Sequence, residues 1–419
     1  MGSITIQGRV PLQGTVVIQG SKNAALPILA AGLLTSEESF IGNCPHISDV
    51  SRMLRLMKSI GCEINRQTDG YTIDTSRVSR ESVRLTGEAV AGMRSSICLL
   101  GALVGICREV IMEPPGGCAI GARPIDMHIE ALTKMGVTFS FQNGMMRAVA
   151  PELHGADIRF GKKSVGATEN CILAAVSAEG KTTIQNAATE PEVSSLCHFL
   201  TQCGAEIEGI GTEELTVYGG KKLYGTRFTV PADRIVAGTY LMSCIGTGGD
   251  VFLEQAPAAD MTAVILTAAR MGGKVWAGEE GIYVQGPIRP LPVSFLKTGS
   301  YPEFPTDLQS VLLAVETVGD GETVIEETVF ENRFRIADDL KRMGAKIEVC
   351  EGNKAIVQGV PYLKGANVTA CELRGGAALV TAGLMARGKT VVNDSSFIYR
   401  GYENICRDFR ELGARIISG

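Results

Sequence analysis

One phrase recurs six times along this chain of 419 residues, and it restricts the fold more than any other feature. The phrase is an amphipathic helical run, an apolar residue or cysteine, a glycine, and then an alternating stretch. The copies read MLRLMKSIGCEIN, HIEALTKMGVTFS, LCHFLTQCGAEIE, VILTAARMGGKVW, IADDLKRMGAKIE and ICRDFRELGARII. Their glycines are Gly61, Gly136, Gly204, Gly272, Gly344 and Gly413, spaced by 75, 68, 68, 72 and 69 residues. A glycine after a helix is expected in the left-handed C-terminal position. The alternation that follows marks a strand with one buried face.

A second phrase precedes the first in each unit: a helix rich in small residues, then a short strand. NAALPILAAGLLTSEESFIGN, ATENCILAAVSAEGKTTIQNA and AALVTAGLMARGKTVVNDS are examples. Each unit therefore reads strand, helix, strand, helix, strand, strand. Alanine and glycine on the first helix let backbones approach closely, which places that helix inside, with period-two strands covering the outside. Periodic units can stack into a solenoid, but this unit is long, mixed α/β, and variable in its turns. Six units divide as three plus three. That division suits a chain too long for one ordinary core, and no Pro/Ser-rich linker separates the halves. With 45% hydrophobic and 20% charged residues the composition is that of a soluble globular protein.

The net charge of −5 supplies no global basic field, so nucleic acid is not an expected partner. No run of apolar residues is long enough to span a membrane. The start MGSITIQG has neither a signal peptide's basic and apolar regions nor, with Ile6, the myristoylation pattern. Twelve cysteines without a CxxC pair, and four histidines without zinc spacing, suggest free thiols in a reducing cytoplasm and no metal.

Variable turns on a constant scaffold suggest a shared site. The six first helices begin at QGSKNAALP, AVAGMRSS, GKKSVGATEN, PADRIVAGTY, YPEFPTDLQS and CELRGGAALV. Five carry a cation there: Lys22, Arg94, Lys162 with Lys163, Arg234 and Arg374. Helix N-termini favour acids, so a cation costs up to about 1 kcal/mol. It makes sense where an anion binds both the cation and the free N–H groups. Any one of these could be a solvated surface charge; five of six point to a polyanionic ligand. The sixth start carries Asp307. Thr306 as N-cap and Asp307 in the first turn would be ordinary helix chemistry. A carboxylate among cations also stays ionised and can accept a substrate proton.

PPGGCAIGARPID, Pro114 to Asp126, is a glycine- and proline-rich loop that holds Cys118 five residues before Arg123. A neighbouring cation favours the thiolate, and such a loop suits a lid that brings in a catalytic group. The alternative is a chance surface cysteine.

With GSKNAALPILAA, PGGCAIGARPIDMHI, SVGATEN, EFPTDLQ, ETVFENRF, ELR and RGYE, in order between residues 20 and 403, the chain resembles the enolpyruvyl transferases, and within them those that act on UDP-N-acetylglucosamine. The resemblance implies an α/β fold: a two-domain inside-out α/β barrel of six βαβαββ units, three per domain, helices inside and strands outside. It implies one domain over residues 22–229 with the Cys118 lid, another over 1–21 and 230–419 with Asp307, and a substrate cleft between them. The implied reaction moves the enolpyruvyl group of phosphoenolpyruvate to the sugar 3′-hydroxyl, releasing phosphate, by addition and elimination. It opens peptidoglycan synthesis, and with it supports cell shape and division.

The resemblance also assigns roles by motif. Asp307 is the base, Cys118 the loop acid, and Lys22 and Arg400 complete the catalytic set. Lys22, Asn23, Arg123, Arg374 and Arg400 bind phosphoenolpyruvate. Arg94, Arg123, Pro124, Ile125, Asp126, Met127, Lys162, Lys163, Ser164, Val165, Asp307 and Val329 contact the UDP-sugar, and Arg333 lies near the site. Fosfomycin would alkylate Cys118. No cofactor or metal is implied, since lysines and arginines supply the electrostatics. The partners are two small molecules, with no nucleic acid, membrane or obligate protein partner, in the cytoplasm. Three departures stand out: Val236 replaces an acid, Glu372 an aspartate, and Lys163 a small apolar residue. They leave open a diverged, non-catalytic UDP-sugar-binding copy; another acceptor, such as shikimate phosphate, is disfavoured by the lid and FPTD motifs.

Overall fold

A computed structural model describes residues 2–35, 37–116, 121, 124–351 and 353–419. The chain forms two compact units. One holds the N-terminal residues up to Gln19 and Ala232–Gly419; the other is built mainly between Gly20 and Pro231.

Six small sheets share one plan. In each, one strand on the outer side runs parallel to its neighbour and the remaining two pairings are antiparallel; one sheet adds a fifth, two-residue strand, Phe304–Pro305, parallel to Phe295–Gly299. Asp157–Arg159, Lys181–Gln185, Glu206–Glu208 and Glu214–Tyr218 show the pattern. Alternation sets the faces: Thr182 and Ile184 are buried while Lys181 and Gln185 are exposed.

Strands are exchanged where the chain passes between units. Gln13–Val17 precedes the Lys22–Ala31 helix in sequence, yet pairs with Asp250–Glu254. Arg227–Thr229 precedes the Arg234–Thr247 helix, yet pairs with Ser39–Gly42. Ser3–Gln7 then closes the sheet formed by the last residues, between Lys389–Asn393 and Arg415–Ser418.

The small-residue helices are buried on all sides. Every residue of Leu373–Met385 is buried. This helix packs with Arg234–Thr247 and Thr306–Glu316 at the centre of one unit. The glycines are dictated by that approach: a Cβ on Gly238 would lie 2.3 Å from Leu308 Cδ1, and one on Gly246 2.4 Å from Met385 Sδ. Leu308 is fully buried, and truncation of such a leucine costs about 2–5 kcal/mol. The second helices are one-sided. Ser48–Ser59 buries Val50, Met53, Leu54 and Met57, the stripe its spacing predicts. All six repeat glycines have positive φ, between 82° and 106°, the conformation that ends a helix without a Cβ clash.

Among the described residues no helix is long and apolar enough to cross a membrane. Their eleven cysteines are free thiols.

Candidate active site

Asp307 stands in the first turn of Thr306–Glu316. The sequence suggests Thr306 as N-cap, but the N-cap is Pro305 and Thr306 is already helical. The reason is Glu327. Its carboxylate is almost wholly buried, and Oε1 accepts from the Thr306 hydroxyl at 2.9 Å, the Val329 N–H at 2.8 Å and the Phe330 N–H at 3.1 Å. A hydrogen bond to a charged acceptor outweighs a neutral cap. One buried carboxylate thus draws the Asp307 helix start and the Val329 segment together.

Asp307 is half-buried between two buried arginines. Arg333 Nη2 donates to Oδ1 at 2.5 Å. Arg374 donates to Oδ2 from Nε at 3.1 Å and from Nη2 at 2.9 Å. Arg333 Nη1 also lies 3.8 Å from Glu372. Burial pulls the Arg374 pKa down more than any one neighbour raises it, but Asp307, Tyr402 and Asp233 together outweigh it and the net shift is upward. Glu372 caps the Leu373–Met385 helix, accepting from the N–H groups of Arg374 and Gly375, so it fixes the backbone that carries Arg374. Arg333 Nε and Arg374 Nη1 are buried without a hydrogen-bond partner among the described residues. Buried donors are normally satisfied, so these two are suited to an incoming anion. Arg400 is half-buried at the end of the Ser395–Arg400 turn.

The other unit holds a second set. Lys22 opens the Lys22–Ala31 helix, whose N-cap Ser21 accepts from the Ala24 N–H. Lys22 is buried, and its Nζ lies 2.9 Å from Asp49, which also pairs with Arg52 at 3.0 Å. Asn23 follows, half-buried. Arg94 Nη2 donates to the Pro124 carbonyl at 2.9 Å, and desolvation lowers its pKa. Asp126 begins the Asp126–Lys134 helix, with Ile125 as N-cap and Met127 partly buried. Ser164 caps Val165–Ala175 by accepting from the Ala167 N–H. Lys163 pairs with Glu213 at 2.7 Å, and Lys162 is exposed. His128 joins the two stretches, with Nδ1 3.0 Å from Asn170 Nδ2. Cys118 and Arg123 lie outside the described residues.

Sequence reading overlooked Asp49, His128, Asn170 and Glu327. Asp49 reaches Lys22 from another helix, and Glu327 binds the Val329 N–H, whereas His128 and Asn170 bond to each other; the local signals were an acid two residues before Val329 and the place of His128 and Asn170 inside PGGCAIGARPIDMHI and SVGATEN. Two departures have clear settings: Val236 is fully buried in the core and Glu372 is a working cap. Among the described residues no group of three or more His, Cys, Asp or Glu could hold a metal ion.

Residues 6–409 match the family model EPSP synthase (3-phosphoshikimate 1-carboxyvinyltransferase). The chain belongs to that family. Two relatives come from Caldanaerobacter subterraneus subsp. tengcongensis. UDP-N-acetylglucosamine 1-carboxyvinyltransferase 2 is 40% identical over 417 residues, covering 100% of this chain and 99% of its own. UDP-N-acetylglucosamine 1-carboxyvinyltransferase 1 is 42% identical over 408 residues, covering 97% of each. Among solved structures, the enolpyruvyl transferase NikO from Streptomyces tendae superposes with a TM-score of 0.88 at 24% identity, covering 100% of this chain and 99% of that one. EPSP synthase from Acinetobacter baumannii gives 0.75 at 18% identity, covering 100% of both. The fold is therefore the two-domain inside-out α/β barrel of this family.

Proposed function

We propose that the protein transfers the enolpyruvyl group of phosphoenolpyruvate to the 3′-hydroxyl of UDP-N-acetylglucosamine and releases phosphate, the first step of peptidoglycan synthesis. The observation that carries this reading is the full-length match, at 40% and 42% identity, to two relatives named for that transfer.

In this reading the 3′-hydroxyl gives its proton to Asp307 as its oxygen adds to C2 of phosphoenolpyruvate. C3 gains a proton from Cys118 in the same addition. The tetrahedral adduct then loses a C3 proton and expels phosphate, which leaves the enol ether. Lys22, Asn23, Arg123, Arg374 and Arg400 hold the phosphoenolpyruvate anion. Arg94, the 123–127 stretch, the 162–165 stretch and Val329 hold the sugar nucleotide. The Arg333–Asp307–Arg374 clamp fits this chemistry. It keeps the carboxylate ionised, and two cations also weaken it as a base. A substrate anion that takes up the arginines' free donors draws charge from the clamp, so Asp307 gains basicity as the substrate arrives. The enzyme acts in the cytoplasm on soluble substrates and needs no obligate protein partner.

The test is phosphate release from purified protein with phosphoenolpyruvate, with and without UDP-N-acetylglucosamine. Release at about 1 s⁻¹ or faster that depends on this acceptor supports the reading. Release that depends instead on shikimate 3-phosphate refutes the acceptor, and none with either acceptor refutes the transferase.

A further inference from the structure

The outward face of one sheet carries a feature that the transfer reaction does not use. Trp276, Tyr283 and Phe252 stand side by side on three adjacent strands, Lys274–Gly278, Gly281–Gln285 and Asp250–Glu254. The register pairs Trp276 with Tyr283 and Tyr283 with Phe252. Their neighbours Ile282, Val284, Val251 and Leu253 point into the core, so the three rings share the outer face. Trp276 is the only tryptophan of the chain, and it is 54% exposed.

The repeat makes this row distinctive. The corresponding middle rows of the other five sheets hold at most one aromatic ring. One reads Asn65, Thr72, Phe40, Arg227; another reads Glu208, Thr216, Thr183, Asp157. Five percent of the chain is aromatic, so three rings in one row are a concentration that the fold does not require. The Trp276 strand is also left open: a Cβ on Gly278, two residues from Trp276 on the same face, would meet nothing within 4 Å, while Phe252 and Tyr283 are half-buried.

We infer that this aromatic row is a docking surface for an arginine- or lysine-bearing segment of a partner protein. Two observations select that occupant. The first is charge. Asp250 and Glu254 flank Phe252, and Glu279 and Glu280 form the adjoining turn, against one lysine, Lys274, on these three strands. The second is ring geometry. Trp276 and Tyr283 have centroids 5.2 Å apart and planes inclined by 43°. They form a trough for a rod-like cationic side chain rather than the flat platform on which a sugar ring stacks. A cation over tryptophan or tyrosine is attracted by the ring quadrupole, and the carboxylates add attraction that salt screens. Three strands span about 10 Å, enough for three or four residues of an extended segment.

The probe is a fluorescein-labelled hexa-arginine peptide, titrated with the full-length protein and read by anisotropy. An unlabelled peptide is followed in parallel by emission of the single tryptophan. We expect saturable binding that quenches Trp276, weakens at least tenfold in Trp276→Ser, and stays within about threefold in Trp276→Phe. Glu279→Gln with Glu280→Gln should weaken binding and flatten its salt dependence. Phosphate release should be unchanged in all variants, which reports that they are folded. Equal binding by Trp276→Ser, or equal binding of a glycine–serine peptide, overturns the inference. Quenching by an N-acetylglucosamine oligomer but not by hexa-arginine would make the row a carbohydrate site. Self-association that Trp276→Ser abolishes, without peptide binding, would make it a contact between copies. Either result also overturns the inference.

Discussion

Asp307 and Arg374 meet through a single carboxylate oxygen: Oδ2 accepts from both Nε and Nη2, which leaves Oδ1 to Arg333. The arrangement makes the two oxygens unequal. One is tied by two donors on a buried arginine and the other receives a short bond from Arg333. Asp307→Asn would put an amide N–H₂ against a guanidinium and remove the proton acceptor. Turnover should fall by at least about 100-fold, the lower end of what a general base usually contributes, with UDP-N-acetylglucosamine affinity kept within about threefold. Calorimetric titration beside phosphate release tests this; unchanged turnover would refute the base assignment.

Glu327 acts through what it holds. Its Oε1 accepts three hydrogen bonds that tie the Asp307 helix start to Val329 and Phe330. Glu327→Ala leaves two backbone donors and a hydroxyl without their acceptor, at about 1–3 kcal/mol for each buried group left unsatisfied. The Val329 segment should loosen first. KM for the sugar nucleotide should then rise more than kcat falls, and Glu327→Gln, which keeps one oxygen, should recover much of the loss. Equal kcat and KM in Glu327→Ala would show that the network does not position the site.

The six-unit fold was legible because its signals are local. Gly61 or Gly344 ends a helix by its own backbone preference, and an alanine-rich run such as AALVTAGLM is buried by its own lack of bulk. The strand exchange was less visible, since nothing in Gln13–Val17 says that it pairs with residues near 250 rather than with the unit that follows it. The cations at the helix starts were also readable, but their partners were not. Lys22 meets Asp49 and Arg374 meets Asp307 through tertiary contacts that no spacing rule encodes. Thr306 was misread for the same reason: its competing acceptor, Glu327, lies twenty-one residues away.

Thiol reactivity should be selective. Burial raises the pKa of Cys62, Cys171, Cys197, Cys203 and Cys244 to about 12 and that of Cys107 to about 11. Thiols of this kind are nearly unreactive at neutral pH. Cys118, five residues before Arg123 in a glycine-rich stretch of the sequence, should take the first equivalent of iodoacetamide, with the partly exposed Cys350 next. Fosfomycin should add once, at Cys118, and phosphoenolpyruvate should slow both reactions. Peptide mapping of a one-equivalent reaction checks this. First labelling at Cys98 or Cys171 would mean that the helices around them open more readily than their burial implies.

Glu316 should impose a pH dependence on stability. Desolvation raises its pKa from 4.5 to about 7, against hydrogen bonds from the Thr323 hydroxyl and the Val293 N–H that pull it down. The folded state therefore holds this proton more tightly than the unfolded chain. At pH below the unfolded value both states are protonated and nothing is lost. As pH rises from about 4.5 to 7 the unfolded chain releases the proton first, so stability falls, and above pH 7 the penalty is complete. A shift of this size corresponds to about 3 kcal/mol. Glu316→Gln keeps an acceptor oxygen and removes the titration. Relative to the wild type it should gain stability at pH 8 and little or none at pH 4.5. Denaturant midpoints of both proteins at the two pH values test the sign; a gain confined to pH 4.5 would show that the carboxylate, not the carboxylic acid, is the form the fold prefers.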